Sequence, residues 1–414
     1  MEVEAMGRPT DCETNSGLGM RSWLIVVAGF VINGLMFGTI NSYSVIYFEL
    51  QRVLKESGTI HASYKASLIG SLSVGTTLAF SPVAVILVDK LGHRVTALIG
   101  AFFAILGMFS SSYLTECVEA LYLTYGVLFG LGVSLAFTPA LAILGLHFKE
   151  NLGIVSGFVN TGSAVFTIAI PPILKSMIND LGLNWALRIA SFCMLLIPVV
   201  AMALKPPAKR EESSFPPEQN KRPLFNLEIW KSKKFIIWAI GAPFSLFGYL
   251  VAFVHIVKFA SINFPDHDGK ILVMCIGLAT AFGRVFFGVM SDVKSIEKIL
   301  LQQISFFAIG LLTILLVYAS SWTVMIFIAF GLGFFDGCFM SLVGPIAYDM
   351  FAPEDASQAI GFLLGLCSIP LTVGPPVAGM LFDQSQSYNL PFFVAGVPTI
   401  VGSLILFAVR CVKH

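Results

Sequence analysis

The stretch WLIVVAGFVINGLMFGTINSYSVIYF, residues 23–48, contains no charged side chain. A bilayer core of about 30 Å requires about 20 apolar residues in a helix, because a helix satisfies its backbone polar groups internally. This stretch is therefore predicted to cross a membrane. The residues before it mix acidic and basic side chains and lack the basic start of a cleaved signal peptide, so we expect the stretch to remain as an anchor.

Eleven further apolar runs of spanning length follow. Five precede a polar stretch at 205–234, which has two Pro-Pro pairs and eight Lys or Arg residues, and six come after it. The predicted runs are 66–88, 95–115, 120–148, 151–174, 185–204, 235–257, 271–291, 299–319, 322–348, 356–382 and 389–409. The sequence thus predicts an all-α membrane protein with twelve transmembrane helices in two six-helix bundles. The predicted organisation is a tail (1–22), a bundle (23–204), a linker (205–234), a second bundle (235–409) and a tail (410–414).

Composition agrees with a membrane protein and narrows the functional classes. Hydrophobic residues make up 56% of the 414 positions and charged residues 12%, whereas soluble domains have about 25% charged residues. The net charge of +1 gives no reason to expect a nucleic-acid partner, and the bilayer is the partner that composition implies. Seven scattered cysteines suggest neither a disulfide framework nor a metal site. No phosphate-binding loop or catalytic motif occurs, so we expect a carrier without a cofactor and not an enzyme.

Orientation follows from the distribution of basic residues, because short cytoplasmic loops retain Lys and Arg. If the amino terminus is inside, seventeen of the 25 basic residues lie on the cytoplasmic side and seven on the other. The remaining one is Arg284, within the eighth span. Both termini and the linker are therefore predicted to be cytoplasmic.

The connection after the second span reads DKLGHR, residues 89–94, and the equivalent connection after the eighth ends in Asp292. The first resembles the cytoplasmic signature of the major facilitator superfamily, in which a carboxylate clamps a neighbouring helix and a glycine permits a tight turn. On this resemblance Asp89, Arg94 and Asp292 are candidate gating residues. A tight turn near phospholipid head groups would explain Asp89 and Arg94 about as well.

Two charged residues fall near mid-membrane, Arg284 in the eighth span and Asp336 in the tenth. A charge at the centre of a spanning helix costs about 2.5–3.5 kcal/mol on insertion scales, so such residues normally face a pathway or a partner. A guanidinium can hold a carboxylate and a carboxylate can hold an ammonium, so the pair suggests an amino acid or another organic acid as substrate. The alternative is a structural Arg–Asp ion pair that never touches substrate.

Other polar groups lie inside or at the ends of the spans. His255, near the outer end of the seventh span, either lines an outer vestibule or anchors the interface. Asn41 and the run 160–163 (Asn-Thr-Gly-Ser) are uncharged, and hydrogen bonding between helices is the expected role of most such groups. The rings of Phe247 and Tyr249 are candidates for stacking on an aromatic substrate.

Several stretches together resemble the monocarboxylate transporter family, and most of all its subgroup for aromatic amino acids and thyroid hormones. They are LTYGVLFG (123–130), FGYLVAFVHIVK (247–258), GRVFFG (283–288), FDGCF (335–339) and SQAIGFLLG (357–365). The resemblance implies that Arg284 and Asp336 are the substrate-centre charges and that His255 is the subgroup's histidine. It also implies a multi-pass protein of the plasma membrane. Some members of the family use an accessory single-span glycoprotein, so such a glycoprotein is a candidate partner.

Departures from the family pattern bear on whether transport is coupled to protons. Proton-coupled lactate carriers have a lysine in the first span and an aspartate one turn before the arginine, where this sequence has Asn41 and Thr280. We therefore expect facilitated, proton-independent transport of aromatic amino acids or related carboxylates, with Asn41 beside the substrate. The alternative is a proton-linked lactate or pyruvate carrier. A transporter-like sensor without flux is a third class.

Overall fold

The computed structural model describes residues 20–58, 62–148, 151–205, 226–267 and 269–411. Most of the predicted amino-terminal tail and residues 206–225 of the predicted linker lie outside these ranges. Every regular element that these ranges contain is a helix. Helices are expected because only helices and closed barrels satisfy all backbone polar groups within a bilayer.

The amino-terminal half consists of ten α-helices and one π-helical segment within the described residues. These are α1 (Met20–Asn41), α2 (Tyr43–Glu56), α3 (Ala62–Ala79), α4 (Ser81–Ser111), α5 (Val118–Leu121), the π-helix (Tyr122–Phe129), α6 (Gly130–Ala142), α7 (Leu144–His147), α8 (Leu152–Leu181), α9 (Leu183–Cys193) and α10 (Leu196–Ala201). The first span comprises α1 and α2, and the fifth is α8.

The carboxyl-terminal half begins with a short 3₁₀ turn and continues with six long helices. They are the turn Leu227–Lys231, α11 (Lys233–Asn263), α12 (Lys270–Ser291), α13 (Lys298–Leu315, with a 3₁₀ extension Leu316–Tyr318), α14 (Trp322–Met350), α15 (Pro353–Ser385) and α16 (Asn389–Cys411). These six helices are the seventh to twelfth spans.

One element contains two spans. Within the described residues, eleven helices are long and apolar enough to cross a membrane, and α4 is one of them. Gly92 interrupts α4 with φ 82° and ψ 162°, a backbone conformation that favours glycine. The segment 81–91 therefore completes the second span begun by α3, and 93–111 forms the third. The tight turn predicted for DKLGHR is confirmed, and the fold class of twelve spans in two bundles agrees with the structure.

The two halves meet along two lines of helix contact. Helix α8 of the first half packs against α12 and α14 of the second, and α15 of the second half packs against α3 and α4 of the first. We call the membrane end nearest the linker the linker end, and the opposite end the far end. The linker end is the one that the sequence predicts to be cytoplasmic.

Candidate substrate site and the contacts that close the linker end

Arg284 lies on α12, seven residues before the helix ends at Ser291 and thus about 10 Å from the linker end. Its Nη1 donates hydrogen bonds to the carbonyl oxygen of Asn160 and to Oγ of Ser163, both on α8 of the other half. The guanidinium therefore spans the interface between the two halves, near mid-membrane, as the sequence predicted.

The partners of Arg284 carry no charge. The ion pairs of the described residues all lie elsewhere, so no carboxylate from these residues is within salt-bridge distance of the guanidinium. The charge of Asp336 is near enough to interact electrostatically with Arg284, but no salt bridge joins the two side chains. Nε of Arg284 is buried without a hydrogen-bond partner among the described residues.

Asp336 lies on α14, fourteen residues from each end of the helix. Its Oδ1 accepts a hydrogen bond from the hydroxyl of Tyr249 on α11, and its side chain also interacts with that of Thr280 on α12. The ring of Tyr249 is buried, 5% exposed, against Phe253, Phe306 and Phe339. The suggestion that this ring stacks on a substrate is therefore wrong, because the ring lies in the packed core and the hydroxyl holds Asp336.

A polar stripe on α8 faces these groups, at positions 160, 163 and 167. Asn160 is its centre: Oδ1 accepts from Asn33 of α1 at 2.7 Å, and Nδ2 donates to the carbonyl of Met340 on α14 at 3.0 Å. Hydrogen bonding between helices, predicted for this run, is confirmed. The role of Asn160 and Ser163 in holding Arg284 was not predicted, because it depends on how the two halves dock.

Asn41 lies at the break between α1 and α2, and its side chain is exposed. Its Nδ2 donates to Oγ1 of Thr167 at 3.0 Å, so it joins the far-end part of the same stripe. Thr167 follows Ser163 by one turn of α8, about 6 Å along the axis. The structure thus puts Asn41 on the same polar stripe that holds Arg284.

His255 lies on α11, six residues and about 9 Å beyond Tyr249 toward the far end. Its Nε2 is 3.1 Å from the carbonyl oxygen of Pro375 on α15, and its Nδ1 is 3.5 Å from the hydroxyl of Tyr388. Both ring nitrogens thus have partners within the second half. The structure does not bring His255 together with Arg284, and a role in substrate binding stays a prediction.

Asp292 ends α12 and reaches across the linker end. Its two carboxylate oxygens accept from the backbone N–H groups of Gly153 at 2.8 Å and Ile154 at 2.7 Å, in the first turn of α8. The first N–H groups of a helix have no partner within it and carry a partial positive charge, so a carboxylate is the complementary cap.

Asp89 makes the corresponding contact between α4 and α15, where its Oδ2 accepts from Nε2 of Gln358 at 2.7 Å. Tyr348 of α14 adds a third contact between the halves, donating to the carbonyl of Ala142 at 2.7 Å. Arg94 differs from both aspartates: its guanidinium contacts the sulfur of Met202 within its own half. Of the three candidate gating residues, Asp89 and Asp292 cross the interface.

Glycines let α8 and α12 approach closely beneath Arg284. A Cβ atom added to Gly157 would lie 2.3 Å from the carbonyl oxygen of Arg284, and one added to Gly288 would lie 2.5 Å from that of Gly153. Real Cβ atoms essentially never approach so closely. The linker end is therefore closed here by backbone-to-backbone packing.

Known proteins are similar to this chain in fold and in sequence. The chain matches the family model for the Major Facilitator Superfamily at residues 26–301 and 259–412. A crystal structure of the E. coli fucose:proton symporter FucP has a TM-score of 0.70 with 13% identity, covering 94% of this chain and 100% of that one, which shows the fold alone. Fold and family model define a multi-pass membrane transporter, and not an enzyme.

Its relatives define the family more narrowly. Monocarboxylate transporter 10 of Homo sapiens is 38% identical over 426 residues, covering 98% of this chain and 82% of that protein. The Mus musculus protein of the same name is 38% identical over 397 residues, covering 93% and 77%. The chain belongs to the monocarboxylate transporter family, and the family resemblance seen in the sequence is confirmed.

Proposed function

We propose that this chain carries aromatic amino acids or related organic carboxylates across the plasma membrane by facilitated, proton-independent alternating access. Arg284 holds the substrate carboxylate, and Asp336 receives the ammonium of an amino acid. The names of the relatives denote monocarboxylate carriers, which supports a substrate with a carboxylate group.

The observation that carries the proposal is that Arg284, buried between the two halves, has no carboxylate within salt-bridge distance among the described residues. The guanidinium lies between the two halves with only a carbonyl and a hydroxyl as described partners, and its Nε has none. A charge inside the membrane region is costly unless an opposite charge or a polar pathway accompanies it. A substrate carboxylate would give the guanidinium a direct ionic partner, and it can engage the fork of N–H donors.

Proton independence is supported by the surroundings of Asp336. Thr280 stands where proton-coupled relatives carry an aspartate, and its neutral side chain interacts with Asp336. Asn41 likewise replaces a lysine and pairs with neutral Thr167. Neither position offers a group that changes charge near neutral pH, so the relay of ionisable groups is incomplete.

The test is uptake of labelled tryptophan and labelled lactate at two external pH values, in cells expressing the wild type, Arg284→Ala and Arg284→Lys. Arg188→Ala is the matched control, since this arginine of α9 stacks on Tyr113 and Trp185, with its Cζ 4.2 and 4.7 Å from their ring centroids. We expect saturable tryptophan uptake that is indifferent to pH, is lost in Arg284→Ala and persists in Arg188→Ala. Arg284→Lys should transport poorly, because lysine keeps the charge without the planar fork.

Other outcomes contradict the proposal. Lactate uptake that rises with acidity would favour a proton-linked lactate or pyruvate carrier, with Asp336 as the group that takes the proton. Saturable substrate binding without uptake would indicate a transporter-like sensor. Tryptophan uptake unchanged in Arg284→Ala would reject the assignment of the carboxylate site.

The plasma-membrane location and the accessory glycoprotein are still predictions, and each needs its own test. Surface biotinylation of intact cells measures whether the chain reaches the plasma membrane. The accessory single-span glycoprotein is tested by co-purification from the same cells, and transport by the chain purified alone would show that no such subunit is required.

A further inference from the structure

Arg284 and Asp336 project from helices whose backbones touch, yet no salt bridge joins them. A Cβ atom added to Gly337, the residue after Asp336, would clash with the backbone nitrogen of Arg284. One added to Gly283 would clash with the carbonyl oxygen of Phe334. Helices α12 and α14 are therefore in backbone contact at the depth of both charges. Opposite charges inside a membrane region commonly pair with one another, so their separation here has a structural cause.

Different helices hold the two charged side chains. Arg284 donates hydrogen bonds to Asn160 and Ser163 on α8. Asp336 accepts a hydrogen bond at Oδ1 from the hydroxyl of Tyr249 on α11. The same hydroxyl oxygen lies 3.1 Å from the backbone carbonyl oxygen of Asp336. The guanidinium is thus bound to α8 and the carboxylate to α11, although the two residues come from adjacent helices.

Packing fixes the position of the Tyr249 hydroxyl. The ring is 5% exposed, and it lies edge-on to Phe306 and Phe339, with ring centroids 6.2 and 6.4 Å apart. The ring of Phe253 lies on the same helix, with its centroid 5.7 Å away. Close packing in a protein interior holds buried side chains in single rotamers. The hydroxyl therefore presents its O–H to Asp336 from a fixed place on α11.

We propose that Tyr249 is a positioning residue whose hydroxyl holds Asp336 apart from Arg284 and so keeps the guanidinium available to a substrate carboxylate. Without this hydroxyl a carboxylate oxygen inside the membrane region would lose its donor, and an ion pair with Arg284 would compensate the loss. Thr280 does not oppose that rearrangement, because it lies on α12 with Arg284 and interacts with Asp336 from there. The inference rests on the proposed function, since it takes Arg284 as the group that holds the carboxylate.

The test is calorimetric titration of the purified full-length chain with two probes, tryptophan and indole-3-propionate. Indole-3-propionate has the ring and the carboxylate of tryptophan but no ammonium, so its affinity reports on the carboxylate site alone. The variants are Tyr249→Phe, Asp336→Asn and the two together. The control is Tyr125→Phe, which removes a buried hydroxyl that has no hydrogen-bond partner among the described residues.

We expect Tyr249→Phe to bind both probes about tenfold more weakly, because the lost bond to a charged group is replaced by an ion pair that competes with the substrate. Asp336→Asn in the same chain should restore the wild-type affinity for indole-3-propionate, since an amide forms no ion pair with Arg284. Tryptophan should stay weakly bound to the double variant, which lacks the partner of the ammonium. Tyr125→Phe should bind both probes as the wild type does.

Three results would overturn the inference. If Tyr249 only stabilises the fold, its loss weakens binding and Asp336→Asn does not restore it. If Tyr249 only orients Asp336 toward the ammonium, Tyr249→Phe weakens the binding of tryptophan and leaves that of indole-3-propionate unchanged. The third result is no binding of indole-3-propionate to Asp336→Asn, because removing the anion should leave Arg284 available to that carboxylate.

Arg284→Ala separates this inference from the proposed function. Wild-type affinity of Arg284→Ala for indole-3-propionate would reject the carboxylate site itself, and the role of Tyr249 would fail with it. Loss of binding in Arg284→Ala together with wild-type affinity in Tyr249→Phe would reject the positioning role alone.

Discussion

The two contacts that close the linker end occupy related places in the two halves but differ in construction. Between α8 and α12, both oxygens of Asp292 accept backbone N–H groups, and glycines bring the two backbones together. Between α4 and α15, Asp89 accepts a hydrogen bond from the side-chain amide of Gln358. The first contact uses the charge at a helix start, and the second uses a neutral amide.

This difference indicates which contact is harder to weaken. Both contacts have a carboxylate acceptor and are charge-assisted, but Asp292 accepts two such bonds and the helix start adds a favourable dipole. The α8–α12 contact also includes Arg284, so closing the linker end and holding the guanidinium take place on the same pair of helices. We therefore expect substitutions at α8–α12 to change both closure and transport, and substitutions at α4–α15 to change closure slightly.

The largest effect is expected from Gly157→Val. Its side chain would clash with the backbone carbonyl of Arg284. Overpacking of this kind costs about 1–3 kcal/mol, and we expect a cost near the upper limit because a backbone atom cannot rotate away. The population open at the linker end should rise at least tenfold. Spin labels on Lys90→Cys and Lys294→Cys, one in each half of a protein with its native cysteines replaced, measure the separation.

Gly277→Val on α12 is the control for this change, since a Cβ atom at Gly277 meets nothing within 4 Å. It should leave the label separation as in the wild type. An unchanged distance distribution in Gly157→Val would show that the glycine contact does not hold the linker end closed.

Asp292→Ala should have the next largest effect. It removes two charge-assisted bonds to the start of α8, and we expect closure to lose about 2 kcal/mol. The same label pair measures the shift. Asp349→Ala removes a carboxylate from the same end that pairs within its own half, with Lys298, and should leave the separation unchanged. Equal effects of the two alanine variants would contradict the expectation that the cap at the start of α8 stabilises closure.

Asp89→Ala should weaken closure by about 1 kcal/mol, because it removes the acceptor of an exposed bond from the Gln358 amide, without a helix dipole to add to it. Arg94→Ala is the comparison within the same turn, since Arg94 contacts Met202 in its own half and should not affect closure. The distance between the two spin labels is measured in both variants. A larger shift in Arg94→Ala than in Asp89→Ala would contradict the contacts described here.

The smallest effect is expected from Thr167→Val, which removes the hydroxyl that accepts from Asn41 within the first half. An exposed neutral bond is worth about 0.5 kcal/mol, so KM for the transported substrate should change about twofold. A change of tenfold or more would instead assign Asn41 and Thr167 to direct substrate contact. Ser163→Ala, which removes a partner of Arg284, provides the contrast on the same helix.

Sequence reasoning identified the residues of the candidate site more reliably than their partners. The charges at Arg284 and Asp336 were found because ionisable groups are rare inside spans. Tyr249 was predicted to stack, yet its hydroxyl bonds to Asp336, and Asn160 was expected only to join helices, yet its carbonyl holds Arg284. Nothing in the local sequence distinguishes these roles, since each depends on how far a helix is rotated about its axis.

The sequence by itself determined the twelve spans, the division into two bundles, the turn at Gly92 and the depth of Arg284 and Asp336. These properties depend only on distances along the chain. The length of an apolar run predicts a span, and the helical rise per residue gives the depth of a residue within it. Only the tertiary structure decided that Arg284 meets α8 and not Asp336, and that Asp292 caps the start of α8. Those pairings join residues more than 120 positions apart, and they follow from the docking of two bundles, which no local pattern records.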